Sequence, residues 1–244
     1  MNDMTKTLRQ RMAAGEIIVA LRTVITTSKA DLEKALGKAN YDLIYLDTQH
    51  MPYSDQQLAD FCVAAEELGY PVEIRIPHTR QTYMIGRFCD IGPGSILVPE
   101  VASEKEVDEA LEFFYYPPIG RRSFGGVTRW GRKTIKGEAK VYADWWNQNA
   151  TIGIQLESVE AIINARQLAK PGITYVSFGP TDLKFNIDLH PHFPLRTVEE
   201  CMAHVATQLK GTGIPLGVAI GLTEEQRKKY IDLGLTLFQE FARP

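Results

Sequence analysis

The sequence predicts a (β/α)8 TIM barrel that stops short of its last helix. Three observations carry that prediction. Eight short runs rich in Val, Ile, Leu and Tyr recur along the chain, separated by segments of helical period. Most of the runs are near-continuously apolar, as strands covered on both faces must be. No shift in composition divides the 244 residues, a length that one such barrel occupies. Residues 1–244 therefore read as a single barrel domain.

The first run is Ile17 to Leu21, and Ser28 then offers an N-cap for a helix over Lys29 to Ala39. The second run, Asp42 to Asp47, leads to a helix from about Ser54 to Leu68, with Gly69 as its stop. The third, Pro71 to Pro77, precedes a helix near Thr82 to Asp90, and the fourth, Ser95 to Pro99, precedes Ser103 to Phe114. A Pro/Gly/Arg-rich stretch from Tyr116 to Arg132 follows, then a short helix over Val141 to Trp146. The fifth run is Thr151 to Glu157, with a helix over Val159 to Ala169. The sixth is Ile173 to Gly179, after which Lys184 to Leu195 reads as a loop and Thr197 to Lys210 as a helix. The seventh run is Ile214 to Ile220, with Thr223 capping a helix to Leu233, and the eighth is Leu235 to Glu240. The chain stops four residues later, so another subunit is expected to cover that edge. An open doubly wound sheet is the competing fold, but the turn after the first run, Arg22 to Thr27, lacks the glycine pattern of a dinucleotide site.

Composition excludes several classes of function. A net charge of −3 provides no basic footprint for nucleic acid, although a cleft can still focus positive charge on a small anion. Cys62, Cys89 and Cys201 are far apart and odd in number, which argues against disulfides and fits a reducing cytoplasm. Met1 to Gly15 is polar and lacks the apolar core of a signal peptide. No run approaches the roughly 20 apolar residues of a membrane span.

Barrels do their chemistry at the C-terminal ends of the strands. Those positions hold Asp47 and His50, Arg75, Glu100, Gln155 and Glu157, and Gly179-Pro-Thr-Asp182. Two acids, Glu157 and Asp182, close neighbouring runs and can face one cavity, where hard divalent cations favour oxygen ligands. Gln155 lies two residues before Glu157 on the same strand and points the same way. Asp47 and His50 are near enough to hydrogen-bond and tune the imidazole. Each has a plainer explanation. Either acid alone could cap the helix that follows it. Arg75 could be neutralised by Asp47 or Glu73, and His50 could be an ordinary loop histidine. The arginines from Arg121 to Arg132 could grip an anion or simply be solvated.

At these residues the chain resembles the HpcH/HpaI aldolase family, the metal-dependent class II pyruvate aldolases. The likeness runs from about Gly15 to Gly234. Its pieces are Leu46-Asp-x-x-His50 with Pro52, Arg75-Ile-Pro77, Asp90-Ile-Gly92 leading into Leu97-Val-Pro99, Tyr116-Pro-Pro-x-Gly-x-Arg122, Gln155-Leu-Glu157 and Gly179-Pro-x-Asp-Leu183. Each alone is weak, and six in order are a strong signal.

The resemblance implies a barrel that cleaves or forms 4-hydroxy-2-keto acids through a metal-bound pyruvate enolate. It implies Glu157 and Asp182 as ligands of a divalent metal (Mg2+, Mn2+ or Co2+). Gln155 would orient metal and substrate, Arg75 would stabilise the enolate oxygen, and His50 with Asp47 would serve as acid and base. Main-chain amides from Gly179 through Pro180 and Thr181 to Asp182 would hold the pyruvate carboxylate. The partners implied are a small 2-keto acid and an aldehyde, within a homo-oligomer, a trimer or hexamer. A class I mechanism would need a pocket lysine for a Schiff base. No strand core contains one, and Lys184 comes closest.

The chain departs from the family at Gln49, where Glu is common, and at Arg22, where Trp is common. Ser123-Phe124 replaces the usual Gly, and the Lys184 to Leu195 segment differs too. These departures bear on the aldehyde acceptor more than on the metal chemistry. A metal–enolate decarboxylase or bond-forming enzyme of specialised metabolism is the nearest alternative, and a non-catalytic binding barrel is the most distant.

Overall fold

Eight parallel strands close in sequence order into a barrel: β1 (Ile18–Thr23), β2 (Leu43–Asp47), β3 (Val72–Arg75), β4 (Ser95–Val98), β5 (Thr151–Leu156), β6 (Tyr175–Phe178), β7 (Leu216–Gly221) and β8 (Leu235–Phe241). This is a computed structural model describing residues 6–243. The strands coincide with the apolar runs, and every residue of β2 through β6 is buried, because helices cover the outer face and side chains fill the inner one.

The helices are α1 (Leu8–Ala13), α2 (Lys29–Leu36), α3 (Asp55–Glu67), α4 (Ile85–Ile91), α5 (Glu104–Phe114), α6 (Ala139–Asn149), α7 (Val159–Ile163), α8 (Ala165–Leu168), α9 (Pro180–Leu189), α10 (Val198–Gln208) and α11 (Glu224–Asp232). Their starts are written in capping side chains. Ser54, Ser103, Thr197 and Thr223 each close a capping box with the Gln or Glu three residues on. Gly69, just past α3, sits at φ 87°, where a side chain would be strained.

Three segments differ from the sequence reading. Residues 1–5 of the polar N-terminal stretch lie outside the described residues, but Leu8–Ala13 is helical, capped by Thr7 and Gln10, and buries Met12. The expected helix over Val159 to Ala169 breaks at Asn164, whose backbone leaves the helical region. The expected loop from Lys184 is helix α9 through Leu189: Pro180 starts it, and Leu183 and Ile187 bury its inner face. Among the described residues no helix follows β8, and none is long and apolar enough to cross a membrane.

Two apolar layers hold the barrel. Outward side chains such as Val19, Leu21, Ile44 and Ile96 pack under the helices. The alternate positions Ile18, Ala20, Leu43, Tyr45, Leu97 and Tyr175 fill the interior, with Met12 packed among them. Within that interior Glu73 is fully buried, accepting from Ser95 Oγ at 2.6 Å and Tyr175 Oη at 2.7 Å. Burial pushes its carboxyl up from the ordinary range, so Glu73 is part of the packed core and is not Arg75's partner.

Candidate active site

A cavity of about 490 Å³ opens at the C-terminal ends of the strands, within the size range of small-ligand sites. It is lined by Arg22, His50, Arg75, Gln155, Glu157, residues 179–182, Ala219, Ile220, Gly221 and Phe241. No lysine is among these residues. Lys184 lies on α9, exposed and paired with Asp188.

Glu157 directly follows β5, and its carboxylate is fixed from three sides. Gln155 Nε2 donates to its Oε1 at 2.7 Å, and the backbone amide of Glu100 donates to its Oε2 at 3.0 Å. The third side is the backbone of Gly179, at the end of β6. A Cβ there would lie 1.8 Å from Glu157 Oε1 and 2.6 Å from Gln155 Nε2, so any side chain larger than glycine's would push both groups aside. Burial drives the Glu157 carboxyl up to about 7. The Glu100 amide opposes the rise, the charge of Asp182 adds to it, and Arg75 opposes it. Gln155 Oε1 is buried with no hydrogen-bond partner.

Asp182 lies in the first turn of α9. There the amides of Thr181 and Asp182 have no acceptor within the helix and can take an anion. The expected four-residue amide cradle is narrower than the sequence suggested. The Gly179 amide donates to the Leu156 carbonyl at 3.4 Å, and Pro180 has no N–H to give.

Asp47 ends β2 directly opposite Arg75 on β3. Arg75 holds it with both arms, Nε on Oδ1 at 3.1 Å and Nη2 on Oδ2. Arg22 adds a third contact, Nη2 to Oδ2 at 3.1 Å. Burial alone would raise the Asp47 carboxyl, but Arg75 and Arg22 outweigh it and hold it below the ordinary range. The expected bond from Asp47 to the His50 imidazole is replaced by one to the His50 backbone amide, at 3.4 Å, beside the Gln49 amide at 3.2 Å. Asp47 therefore braces Arg75 and the turn that carries His50, and the two arginines saturate its oxygens.

The arginine-rich stretch is elsewhere. Arg122 is buried against Trp146 and Tyr116 and paired with Asp90. Arg129 lies over Phe124 and Tyr142. Both are packing cations, and Trp130 and Trp145 pack against each other in the same cluster, their rings tilted by 48°. Ala219 to Gly221 and Phe241 line the cavity together with Arg22, and no motif in the sequence marks them as site residues. Being at strand C-termini is the one signal that could have found them.

Oxygen-bearing side chains line the far wall: Glu157, Asp182 and Gln155, whose Oε1 is buried without a hydrogen-bond partner. Among the described residues no third acid, histidine or cysteine joins them in a ready-made cluster. A hard cation held here would complete its shell with water or substrate oxygens. A buried carboxyl at about 7 beside an unpartnered carbonyl oxygen is a donor set that fits such an ion.

Comparison with known proteins identifies the family and the fold. The family model described as HpcH/HpaI aldolase/citrate lyase matches residues 24–236. The chain is 26% identical over 216 residues to a 2-dehydro-3,6-dideoxy-6-sulfogluconate aldolase of Pseudomonas putida, covering 88% of this chain and 82% of that protein. It is 28% identical over 218 residues to a 5-keto-4-deoxy-D-glucarate aldolase of Salmonella gallinarum, covering 89% and 81%. The fold matches the crystal structure of an HpcH/HpaI aldolase from Desulfitobacterium hafniense with a TM-score of 0.81 at 23% identity, over 96% of this chain and 90% of that one.

Proposed function

The chain belongs to the HpcH/HpaI aldolase/citrate lyase family, and from that premise we propose that it is a carbon–carbon lyase of the class II aldolase type, cleaving or forming 4-hydroxy-2-keto acids with a divalent cation (Mg2+, Mn2+ or Co2+). One observation supports this most: Glu157, Gln155 Oε1 and Asp182 gather at the ends of β5 and β6 in the cavity that Arg75 also lines. When bound there, the cation draws electron density from the keto acid's carbonyl and so lowers the cost of forming an enolate.

The remaining steps fall to the chain itself. Thr181 and Asp182 amides bind the keto acid's carboxylate at the start of α9. In the cleavage direction His50 takes the proton of the C4 hydroxyl. The C3–C4 bond then breaks, the aldehyde leaves, and the bonding pair passes into C2–C3 to give the enolate of pyruvate. Arg75, always charged and braced by Asp47, donates to the oxygen on which that charge develops. A proton arriving at C3 forms the methyl group and balances the one removed.

The test is a retro-aldol screen across 4-hydroxy-2-keto acids with added Mg2+, Mn2+ or Co2+, reading pyruvate release through lactate dehydrogenase. Metal-dependent release that is lost in Glu157→Ala and Asp182→Ala is expected. Borohydride trapping of a pyruvate adduct on a lysine would replace this reading with an imine mechanism. Decarboxylation of oxaloacetate without any aldol cleavage would move the chain to the decarboxylase alternative.

A further inference from the structure

The wall of the cavity opposite the acid pair is built around a second arginine. β1 stands four strands from β5 in the eight-strand ring, so Arg22 faces Glu157 across the mouth. In the sheet register Arg22 lies between Tyr45 on β2 and Phe241 on β8. Its guanidinium sits over both rings, 5.1 Å and 5.8 Å from their centroids. That clamp orients the group before any ligand arrives, so little side-chain freedom remains to be lost on binding.

Its charge is poorly matched. Among the described residues Asp47 is the one carboxylate it touches, and Arg75 already grips both oxygens of that group. The other contact of Arg22 is a neutral amide, Nη1 to Gln239 Oε1 at 2.8 Å. Two of five guanidinium N–H groups are thus engaged, and two cations share one anion. The Arg22 side chain keeps 21% of its exposure and lines the cavity. An oxyanion presented there would meet oriented, charge-assisted donors.

We infer that Arg22 is a specificity-determining residue that binds a second anionic group of the substrate, at the end remote from the keto acid. The substrate class is then a 4-hydroxy-2-keto acid whose aldehyde half carries a carboxylate or an equivalent oxyanion. The inference rests on the aldolase reading above and adds the acceptor to it.

The experiment compares aldehydes of matched shape in condensation with pyruvate: 4-oxobutanoate against 4-methylpentanal, and glyoxylate against 2-methylpropanal. In each pair two methyl groups replace the carboxylate oxygens. Wild type, Arg22→Met and Arg22→Lys are read as the ratio of kcat/KM for charged over uncharged acceptor. That ratio is internal to each protein, so a general disturbance of the Asp47 network divides out. The wild type is expected to favour the charged acceptors. In Arg22→Met the ratio should fall by about 10- to 100-fold, the worth of a charged hydrogen bond, mainly through KM, with partial recovery in Arg22→Lys. A wild type that condenses both acceptors equally well, or an Arg22→Met ratio equal to wild type, overturns the assignment of Arg22 alone. A wild type that condenses pyruvate with none of them, with every metal supplied, overturns the aldolase reading and this inference with it.

Discussion

The backbone amide of Glu100 donates to Glu157 Oε2 at 3.0 Å, from a residue held at φ 53°. Among the described residues no other non-glycine has a positive φ. The turn after β4 therefore carries local strain where it aims a donor at the acid pair. Replacing Glu100 by Gly keeps the amide and removes the strain. Among the described residues the Glu100 side chain itself reaches Gln49 at 3.1 Å and His78 at 3.7 Å, both in exposed surroundings where such pairs contribute little. Glu100→Gly is expected to raise stability by about 1 kcal/mol, seen as a higher melting temperature. A lower one would show that the exposed pairs outweigh the strain.

Glu157 makes the metal-free protein pH-sensitive. Its folded value of about 7 lies above the ordinary 4.5, so between those values the folded protein binds the proton more tightly than the unfolded chain. Stability from this group is fully present below about pH 4.5 and is lost as pH rises through 7. With chelator present, wild type should lose about 2 to 3 kcal/mol relative to Glu157→Gln between about pH 5 and pH 8. Denaturation midpoints across that range measure it, and parallel curves would remove Glu157 as the cause. Metal affinity should rise over the same interval as the competing proton leaves.

Gly179 has no room for a methyl group beside Glu157 and Gln155. Gly179→Ala is expected to displace both side chains and weaken Mn2+ binding by about 10-fold or more. Calorimetric titration of Mn2+ into the two proteins checks this, and unchanged affinity would mean that these side chains do not hold the ion.

Much of this site was legible because each group sits at a strand end, where a residue's own neighbours announce it. Glu157 and Asp182 close apolar runs, and Gln155 follows from the alternation of a strand. What lay hidden depends on partners distant in sequence. Nothing near Arg22 reveals that Asp47 and Gln239, 25 and 217 residues away, would take its two arms. The sequence offers Arg75 both Asp47 and Glu73, and nothing near Asp47 shows that its oxygens would go to the arginine and the His50 backbone amide while the His50 ring goes without them. Helix α9 was hidden for a local reason: Gly179-Pro180 is a strong turn signal, and a Pro that starts a helix looks like one that breaks it. The Leu183 and Ile187 spacing is the cue for the helix.

Arg75 braces itself on Asp47 through two arms, a geometry that lysine cannot reproduce. Arg75→Lys should lower kcat for aldol cleavage by about 100- to 1000-fold. Steady-state kinetics at saturating metal decide it, and a change confined to KM would place Arg75 in ground-state binding only.

In the proposed mechanism Glu157 and Asp182 hold a cation that makes pyruvate enolise in this cavity. Exchange of the pyruvate methyl protons for deuterium, followed by NMR in D2O, tests it without any choice of aldehyde. Exchange is expected to require added Mg2+, Mn2+ or Co2+, to stop on chelation, and to be absent from Glu157→Ala and Asp182→Ala. Exchange that continues at the wild-type rate after exhaustive chelation, or in either variant, would contradict it.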